Sequence, residues 1–243
     1  MIATHTKTLS AAVIVGDNTY AGLATILSLL NQTEPPDELV ILENPLKGRR
    51  LTVEFPLLSS ILAYHFKTIS KVVSTQNVRL PDARQLCEDS MTFSLYTMIS
   101  DGDHYYPSDY VETALNEFRL VNIEGYYGGA VECNTSATAD LLPNAGKMLL
   151  DCTHDYVAGG SHIYSSKYRG LWDTVGEFTE GLGEDRFWRS LCVEQGGRRI
   201  GTYPKTIHHT TIHSSVKYPQ SWNPQLVAHC EKFLGIAKHT DNI

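Results

Sequence analysis

Two short apolar runs separated by one helix limit the possible folds of this chain more than any other feature. Residues 11–15 and 39–42 are apolar without alternation, which is the pattern of strands buried on both faces in a parallel sheet. Between them, apolar residues recur at helical spacing and predict a helix over about residues 20–31. Strand, helix and strand in this order form a βαβ unit, so the sequence predicts an α/β fold.

Hydrophobic periodicity and turn residues predict the remaining elements. The predicted helices are residues 57–62, 81–90, a segment after Ser108, 185–195 and 222–238. The predicted extended segments are residues 68–73, 95–99, 126–133, 156–164 and 199–203. The predicted loops are residues 134–150 and a polar segment with His208, His209 and His213. Neither a repeat nor a linker interrupts this pattern, which predicts a single domain over residues 1–243.

The composition argues against several classes of function. The net charge is −7 and the isoelectric point is near 5.8, which disfavours partners such as nucleic acids or anionic membranes. No apolar run approaches the roughly 20 residues of a membrane span. The polar residues 1–10 do not resemble a secretory signal, and the five cysteines show no CxxC spacing. Reduced thiols and a cytoplasmic location are therefore expected.

Asp101-Gly102-Asp103 follows the predicted strand over residues 95–99. Aspartate and glycine are common in turns, so a plain polar turn is one interpretation. The other is a metal site, because paired carboxylates at the carboxyl end of a strand suit a divalent cation that carries phosphate oxygens. Hard oxygen ligands favour Mn²⁺ or Mg²⁺ over zinc.

Four segments, in order and at fitting distances, resemble the GT-A glycosyltransferases, most closely the family 2 type. Residues 12–18 with the later S-L-L-N-Q-T of residues 28–33 resemble the family's opening strand and helix end. Residues 39–44 resemble its second strand, residues 83–85 its A-R-N segment, and residues 183–187 its G-E-D-x-x-F segment. The chain departs from the family at three places. Val15, Gly16 and Asp17 stand where the family usually has a proline, a small hydroxyl residue and an aromatic. Glu43 stands where an Asp is usual, and His104 stands where an additional Asp is common.

The resemblance implies a fold and an activity. The fold would be an α/β, GT-A type (Rossmann-like) domain with a mixed, mostly parallel central sheet flanked by helices. Residues 11–107 would form the nucleotide-sugar half, residues 108–215 the acceptor half, and residues 216–243 a C-terminal helix or tail. The activity would be metal-dependent transfer of a hexosyl or related sugar, with inversion, from a nucleotide sugar to a glycan or other hydroxyl acceptor. The donor expected first is a UDP-sugar, and the cofactor is Mn²⁺ or Mg²⁺.

The resemblance and side-chain chemistry together nominate the site residues. The nucleotide-sugar-binding candidates are Gly16, Asp17, Glu43, Arg84, Asp101 and Gly102. The metal candidates are Asp101, Asp103 and His208, and the catalytic candidates are Asp185 and Glu184.

Several of these candidates also have ordinary structural interpretations. Arg84 would neutralise diphosphate charge or contact the base, although it is also compatible with a surface position on a helix. Asp185 and Glu184 begin a helix, where acidic side chains are favourable in any case. His208 and His209 also fit a solvated loop, and no HExxH zinc pattern accompanies them.

Other functions are compatible with an α/β start and acidic residues. A nucleotidyltransferase such as a sugar-phosphate pyrophosphorylase would need a basic, glycine-rich loop after the first strand, and residues 16–19 contain no lysine or arginine. A Rossmann dehydrogenase is disfavoured because Gly16 and Gly22 do not form G-x-G-x-x-G. A catalytically inactive sugar-binding module would keep the fold without turnover.

Overall fold

A computed structural model describes residues 7–65, 69–121, 125–134, 147–149, 161–178, 184–209 and Lys232. Its strands are β1 (Leu9–Val15), β2 (Glu38–Glu43), β3 (Ile69–Ser74), β4 (Tyr96–Asp101), β5 (His104–Tyr105), β6 (Gly125–Asn134), β7 (Lys147–Leu149), β8 (Ser161–Ser165) and β9 (Arg198–His209). Its helices are α1 (Thr19–Leu30), α2 (Leu51–Glu54), α3 (Leu58–His65), α4 (Leu80–Ser90), α5 (Tyr110–Val121), α6 (Leu171–Phe178) and α7 (Glu184–Glu194). One 3₁₀ turn, Ser166–Tyr168, precedes α6.

The described strands form one mixed sheet in the order β3–β2–β1–β4–β8–β6–β9–β5, and β7 pairs with the C-terminal end of β6. Strands β3, β2, β1 and β4 are parallel neighbours, and β6 is parallel to β9. Strand β8 runs antiparallel to both β4 and β6, and β5 runs antiparallel to β9. The four longest ladders are parallel, in agreement with the predicted α/β class.

Strand β1 lies inside the sheet and is buried on both faces. Ala11, Val13 and Val15 point to an apolar cluster that includes side chains of α1, α2, α3 and α5. Ala12 and Ile14 point to the opposite cluster, which includes side chains of α4, α6 and α7. Because successive side chains of a strand alternate between faces, a strand covered by helices on both sides must be apolar throughout. This arrangement explains the continuous apolar run that predicted β1.

The registers of the parallel strands bring the ends of β1, β2 and β4 to one edge of the sheet. Val15 is opposite Glu43, and Ile14 is opposite Asp101. The end of β1 also accepts backbone hydrogen bonds from the segments that follow β2 and β4. The backbone N–H of Asn44 donates to Val15 O at 2.9 Å, and that of Gly102 donates to Ile14 O at 2.8 Å. Ligands of open α/β sheets bind at this carboxyl edge.

Most predicted elements agree with the structure to within a few residues, and the differences fall mainly in the second half. The prediction of a polar loop is wrong for His208 and His209, because β9 continues to His209. Pairing with β6 and β5 gives these polar residues backbone partners, which outweighs their low strand preference. Residues 147–149 form β7 inside the predicted loop, and α2 and α6 were not predicted.

Some predictions fall outside the described residues. These are the predictions for His213, for residues 156–160, and for the terminal helix over 222–238 apart from Lys232. In the described ranges, every helix is too short or too polar to cross a membrane.

Glu88 on α4 is a buried carboxyl that joins three elements. It accepts hydrogen bonds from the Tyr164 hydroxyl of β8 at 2.5 Å and from the Gly170 backbone N–H, just before α6, at 2.6 Å. Burial raises the pKa of Glu88 to about 7, although both hydrogen bonds act in the opposite direction. Glu88 therefore links the pH of the solution to the stability of this part of the fold.

We expect Glu88 to make the protein less stable as the pH rises from 5 to 8. An unfolded glutamate has an ordinary pKa of 4.5, so between that value and about 7 only the folded protein keeps this proton. The stabilisation is complete below about pH 4.5, and about 3 kcal/mol of it is lost as the pH rises through 7. Urea unfolding of the wild type and of Glu88→Gln at both pH values measures this effect. An equal change in the free energy of unfolding for the two proteins would contradict the prediction.

Candidate active site

The predicted metal motif lies at the carboxyl edge of the sheet. Asp101 ends β4, Gly102 and Asp103 form the turn, and His104 begins β5. The side chains of Asp101 and Asp103 are 27% and 17% exposed, so both carboxylates are accessible at the edge while their backbone is held by the sheet. His104 is buried, and its Nδ1 lies 3.2 Å from Asp103 Oδ1.

Gly102 is required by a close approach to β1. A Cβ at this position would lie 2.6 Å from Ile14 O and 3.2 Å from Val15 Cα, which are backbone atoms in the middle of the sheet. Only a glycine therefore fits between the two carboxylates without moving the turn. The same contact keeps Asp101 and Asp103 at a fixed distance from β1.

Gly102→Ala is expected to destabilise the protein by about 1–3 kcal/mol, because the new methyl group must push the turn away from β1. Thermal unfolding of the ligand-free protein measures the effect. Gly16→Ala is the matched control, since the Cβ position of this exposed glycine has no described atom within 4 Å. Equal stability of the two variants would show that the turn yields without strain.

Arg84 on α4 joins the motif to the predicted base. Its guanidinium lies 3.3 Å (Nη2) from Asp101 Oδ2 and 2.5 Å (Nη1) from Asp185 Oδ1. Glu184 Oε1 lies 3.7 Å from Nη1, and the Trp172 ring of α6 packs 4.6 Å from Cζ. Arg84 is only 1% exposed, which excludes the surface position on a helix that its sequence also allowed. The ends of β4, α4 and α7 therefore meet at one guanidinium.

The electrostatics of this cluster distinguish its two neighbouring acids. Burial alone would lower the pKa of Arg84, but Asp185, Asp101 and Glu184 outweigh it and hold that pKa above its usual range. Burial, and then the adjacent charge of Asp185, raise the pKa of Glu184 to about 8. The Glu184 side chain is 9% exposed, whereas the Asp185 side chain is 26% exposed.

Glu43 and Asp17, two of the predicted nucleotide-sugar-binding residues, form hydrogen bonds with other groups of the protein. Glu43 is buried and accepts hydrogen bonds from Thr52 N at 2.7 Å and Ser74 Oγ at 2.6 Å, and it pairs with Arg50 at 3.5 Å. Asp17 accepts from the backbone N–H of Lys47 at 2.8 Å. Both carboxylates thus fix the segment that leads from β2 to α2.

His208, the predicted third metal ligand, is described only by its backbone. In the β5–β9 ladder His208 is opposite His104, the residue after Asp103. The side chains of residues 201–209 lie outside the described part of the chain. Within the described residues, no three side chains of His, Cys, Asp or Glu are grouped as a metal site.

His162 on β8 is a buried polar residue of the glycine-rich segment 159–162, which by its sequence could line an acceptor pocket or simply end a strand. It is 1% exposed, neither ring nitrogen has a hydrogen-bond partner among the described residues, and the ring stacks on Trp188 at 5.4 Å. Burial and then Arg189 lower the pKa of His162 to about 3, although Asp185 acts to raise it. The sequence of β8 gives no sign that this side chain lies near Asp185.

Comparison with known proteins gives a fold. No protein-family model and no curated protein sequence matches the chain. Among solved structures, TarS 1–349 from S. aureus is similar over 95% of this chain, with a TM-score of 0.57 and 14% identity. GalNAc-T7, crystallised with UDP, GalNAc and Mn²⁺, is similar over 93% of this chain, with a TM-score of 0.61 and 12% identity.

The chain spans 66% of the TarS structure and 48% of the GalNAc-T7 structure. At such low identities the likeness concerns the fold alone. The chain has the GT-A glycosyltransferase fold, which confirms the fold that the resemblance implied.

Proposed function

We propose that this protein transfers a sugar from a nucleotide-sugar donor to an acceptor hydroxyl, with a divalent metal as cofactor and with inversion at the anomeric carbon. The observation that carries the proposal is the position of Asp101 and Asp185 on one guanidinium, at the carboxyl edge of a GT-A sheet. Asp101, which suits the donor side, and Asp185, which suits the acceptor side, contact different Nη atoms of the Arg84 guanidinium.

The metal would bind at Asp101 and Asp103. Both are hard oxygen ligands, both are partly exposed, and both are held on a turn that β1 fixes. Mn²⁺ or Mg²⁺ bound there would neutralise the diphosphate of the donor. We keep His208 as the third ligand because its backbone pairs beside Asp103.

The donor would occupy the edge beside β1 and β2. Gly16 is exposed there, and its Cβ position meets no described atom, so a nucleotide can approach the backbone. Because Glu43 and Asp17 already accept hydrogen bonds, we propose that they shape the nucleotide side through the segment that they hold. GalNAc-T7 was crystallised with UDP, which favours a UDP-sugar.

Asp185 would be the general base. The acceptor hydroxyl gives its proton to the Asp185 carboxylate as the hydroxyl oxygen attacks the anomeric carbon, and the nucleoside diphosphate leaves from the opposite face. Glu184 is the weaker candidate, because a carboxyl with a pKa of about 8 holds its own proton at neutral pH. Its buried position suits a structural or substrate contact instead.

A panel of nucleotide sugars tests the proposal. Thermal shifts are measured with UDP-, GDP-, CMP- and dTDP-sugars, each with Mn²⁺ and with EDTA, and any stabilising donor is then assayed for nucleotide release with glycan acceptors. We expect one nucleotide class to stabilise the protein through binding linkage, and only with metal. Release of the nucleoside diphosphate should cease in EDTA.

Three other outcomes would overturn the proposal. Binding without turnover for any acceptor or water would indicate an inactive sugar-binding module. Release of pyrophosphate from a nucleoside triphosphate and a sugar phosphate would indicate a nucleotidyltransferase. No response to any nucleotide sugar would mean that the protein does not bind this class of donor.

A further inference from the structure

Arg84 is a fully buried cation at the junction of four elements. It extends from α4 and contacts Asp101 at the end of β4, Asp185 in the first turn of α7 and the Trp172 ring of α6. The two carboxylates lie on different Nη atoms, so the guanidinium separates them by its own width. A planar, rigid cation is suited to this task, because its donors point in fixed directions.

The contacts of Arg84 leave little capacity for a ligand. Nη1 and Nη2 are both paired with acids, and one face of the guanidinium lies against Trp172. The remaining donor, Nε, is buried with no hydrogen-bond partner among the described residues. To reach a phosphate, Arg84 would have to leave acidic side chains unpaired in a largely buried site, which is strongly unfavourable.

Arg84 also brings a positive charge into direct contact with the Asp185 carboxylate, with Nη1 2.5 Å from Oδ1. His162 is neutral at pH 7, because its pKa is about 3. Arg189 donates from Nε to the backbone oxygen of Asp185 at 3.2 Å. Glu184 Oε1 is farther from Nη1, at 3.7 Å, than Asp185 Oδ1 is, at 2.5 Å.

We propose that Arg84 is a positioning residue, which holds Asp185 in the orientation for proton abstraction and Asp101 on the donor side, and does not itself bind the nucleotide. This inference rests on the proposed function and changes the role of one of its residues. Through Arg84 the two carboxylates keep a fixed separation, so donor and acceptor are aligned by a group that touches neither. An error of about 1 Å in such alignment is enough to lower a rate by 10²-fold.

The test compares turnover with nucleotide binding in Arg84→Lys and Arg84→Gln. We expect kcat to fall by about 10²–10³-fold in both, because a lysine keeps the charge but cannot bridge two carboxylates. The Kd for UDP with Mn²⁺, measured by calorimetry, should stay within about 3-fold or become tighter, since Asp101 loses its internal partner. Arg84→Lys keeps a buried cation and so preserves the test if Arg84→Gln does not fold.

Arg169→Lys is the matched control. Arg169 is also partly buried and bonds Thr97 Oγ1 at 2.6 Å and the Thr92 carbonyl at 2.9 Å, away from the carboxylates of the site. Its loss should lower the unfolding temperature and leave both kcat and UDP binding unchanged.

Each other result overturns the inference in a recognisable way. Near-normal turnover of Arg84→Lys would mean that charge alone is needed. A loss of UDP affinity in proportion to the fall in kcat would mean that Arg84 binds the nucleotide. Fewer than the wild-type number of UDP sites per protein molecule would mean that Arg84 is needed for folding. If the wild type neither binds UDP nor transfers any sugar, the proposed function fails, and this inference fails with it. If the wild type is active and Arg84→Lys is equally active, only this inference fails.

Discussion

Asp185→Asn is expected to lower the rate of sugar transfer by about 10²–10⁴-fold, the range that a positioned general base contributes. The amide has almost the same shape as the carboxylate and still reaches Arg84, but it cannot accept the proton of the acceptor hydroxyl. Binding of UDP with Mn²⁺ should persist, because Asp101 and Asp103 are unchanged. Steady-state transfer and calorimetric UDP binding measure the two effects separately.

The control for this variant is Asp173→Asn. Asp173 is an exposed acid in the first turn of α6, as Asp185 is in the first turn of α7. Both substitutions remove a charge that favours a helix N-terminus, worth about 0.3–1 kcal/mol, but only one removes the proposed base. Similar activity of the two variants would reduce Asp185 to a helix-stabilising residue.

Asp103→Asn is expected to abolish the stabilisation of the protein by UDP that depends on Mn²⁺, and to lower transfer by about 10³-fold. The size follows from the several kcal/mol that a bound cation supplies to a departing phosphate. An amide oxygen is a neutral and weaker ligand for a hard cation than a carboxylate. Thermal shifts over a series of Mn²⁺ concentrations, with and without UDP, measure the loss.

Asp89→Asn provides the comparison for Asp103. Asp89 is exposed on α4 and bonds Gln85 at 2.9 Å, so its loss changes the net charge equally without touching the site. An unchanged response to Mn²⁺ in Asp103→Asn would exclude this turn as the metal site. It would also leave Asp101 with Arg84 as a purely structural pair.

The first half of the fold was predictable because its elements are determined locally. Residues 11–15 of β1 are all apolar and buried and α1 has helical spacing, so the period of the sequence identifies each element. The second half depends on pairing between distant segments. Polar His208 and His209 become strand residues because β6 and β5 pair with them, and the sequence around them contains no sign of that pairing.

The sequence nominates the candidate site residues, but it does not predict their surroundings. Asp101 and Asp185 could be nominated because their motifs occur in the order of a known family. The burial of Arg84 could not, since an arginine on a short helix is ordinarily exposed and its three acidic neighbours come from other elements. The burial of His162 could not be predicted for the same reason, because Trp188, Asp185 and Arg189 belong to α7.

The hydrogen bonds at the end of β1 have a consequence for thermal motion. Asn44 N–H binds Val15 O and Gly102 N–H binds Ile14 O, so the segment after β2 and the carboxylate turn are fastened to adjacent residues of one buried strand. We therefore expect thermal motion of β1 to displace both segments together, so that their separation varies little. A diphosphate bound between them, as we propose, would span a nearly constant distance.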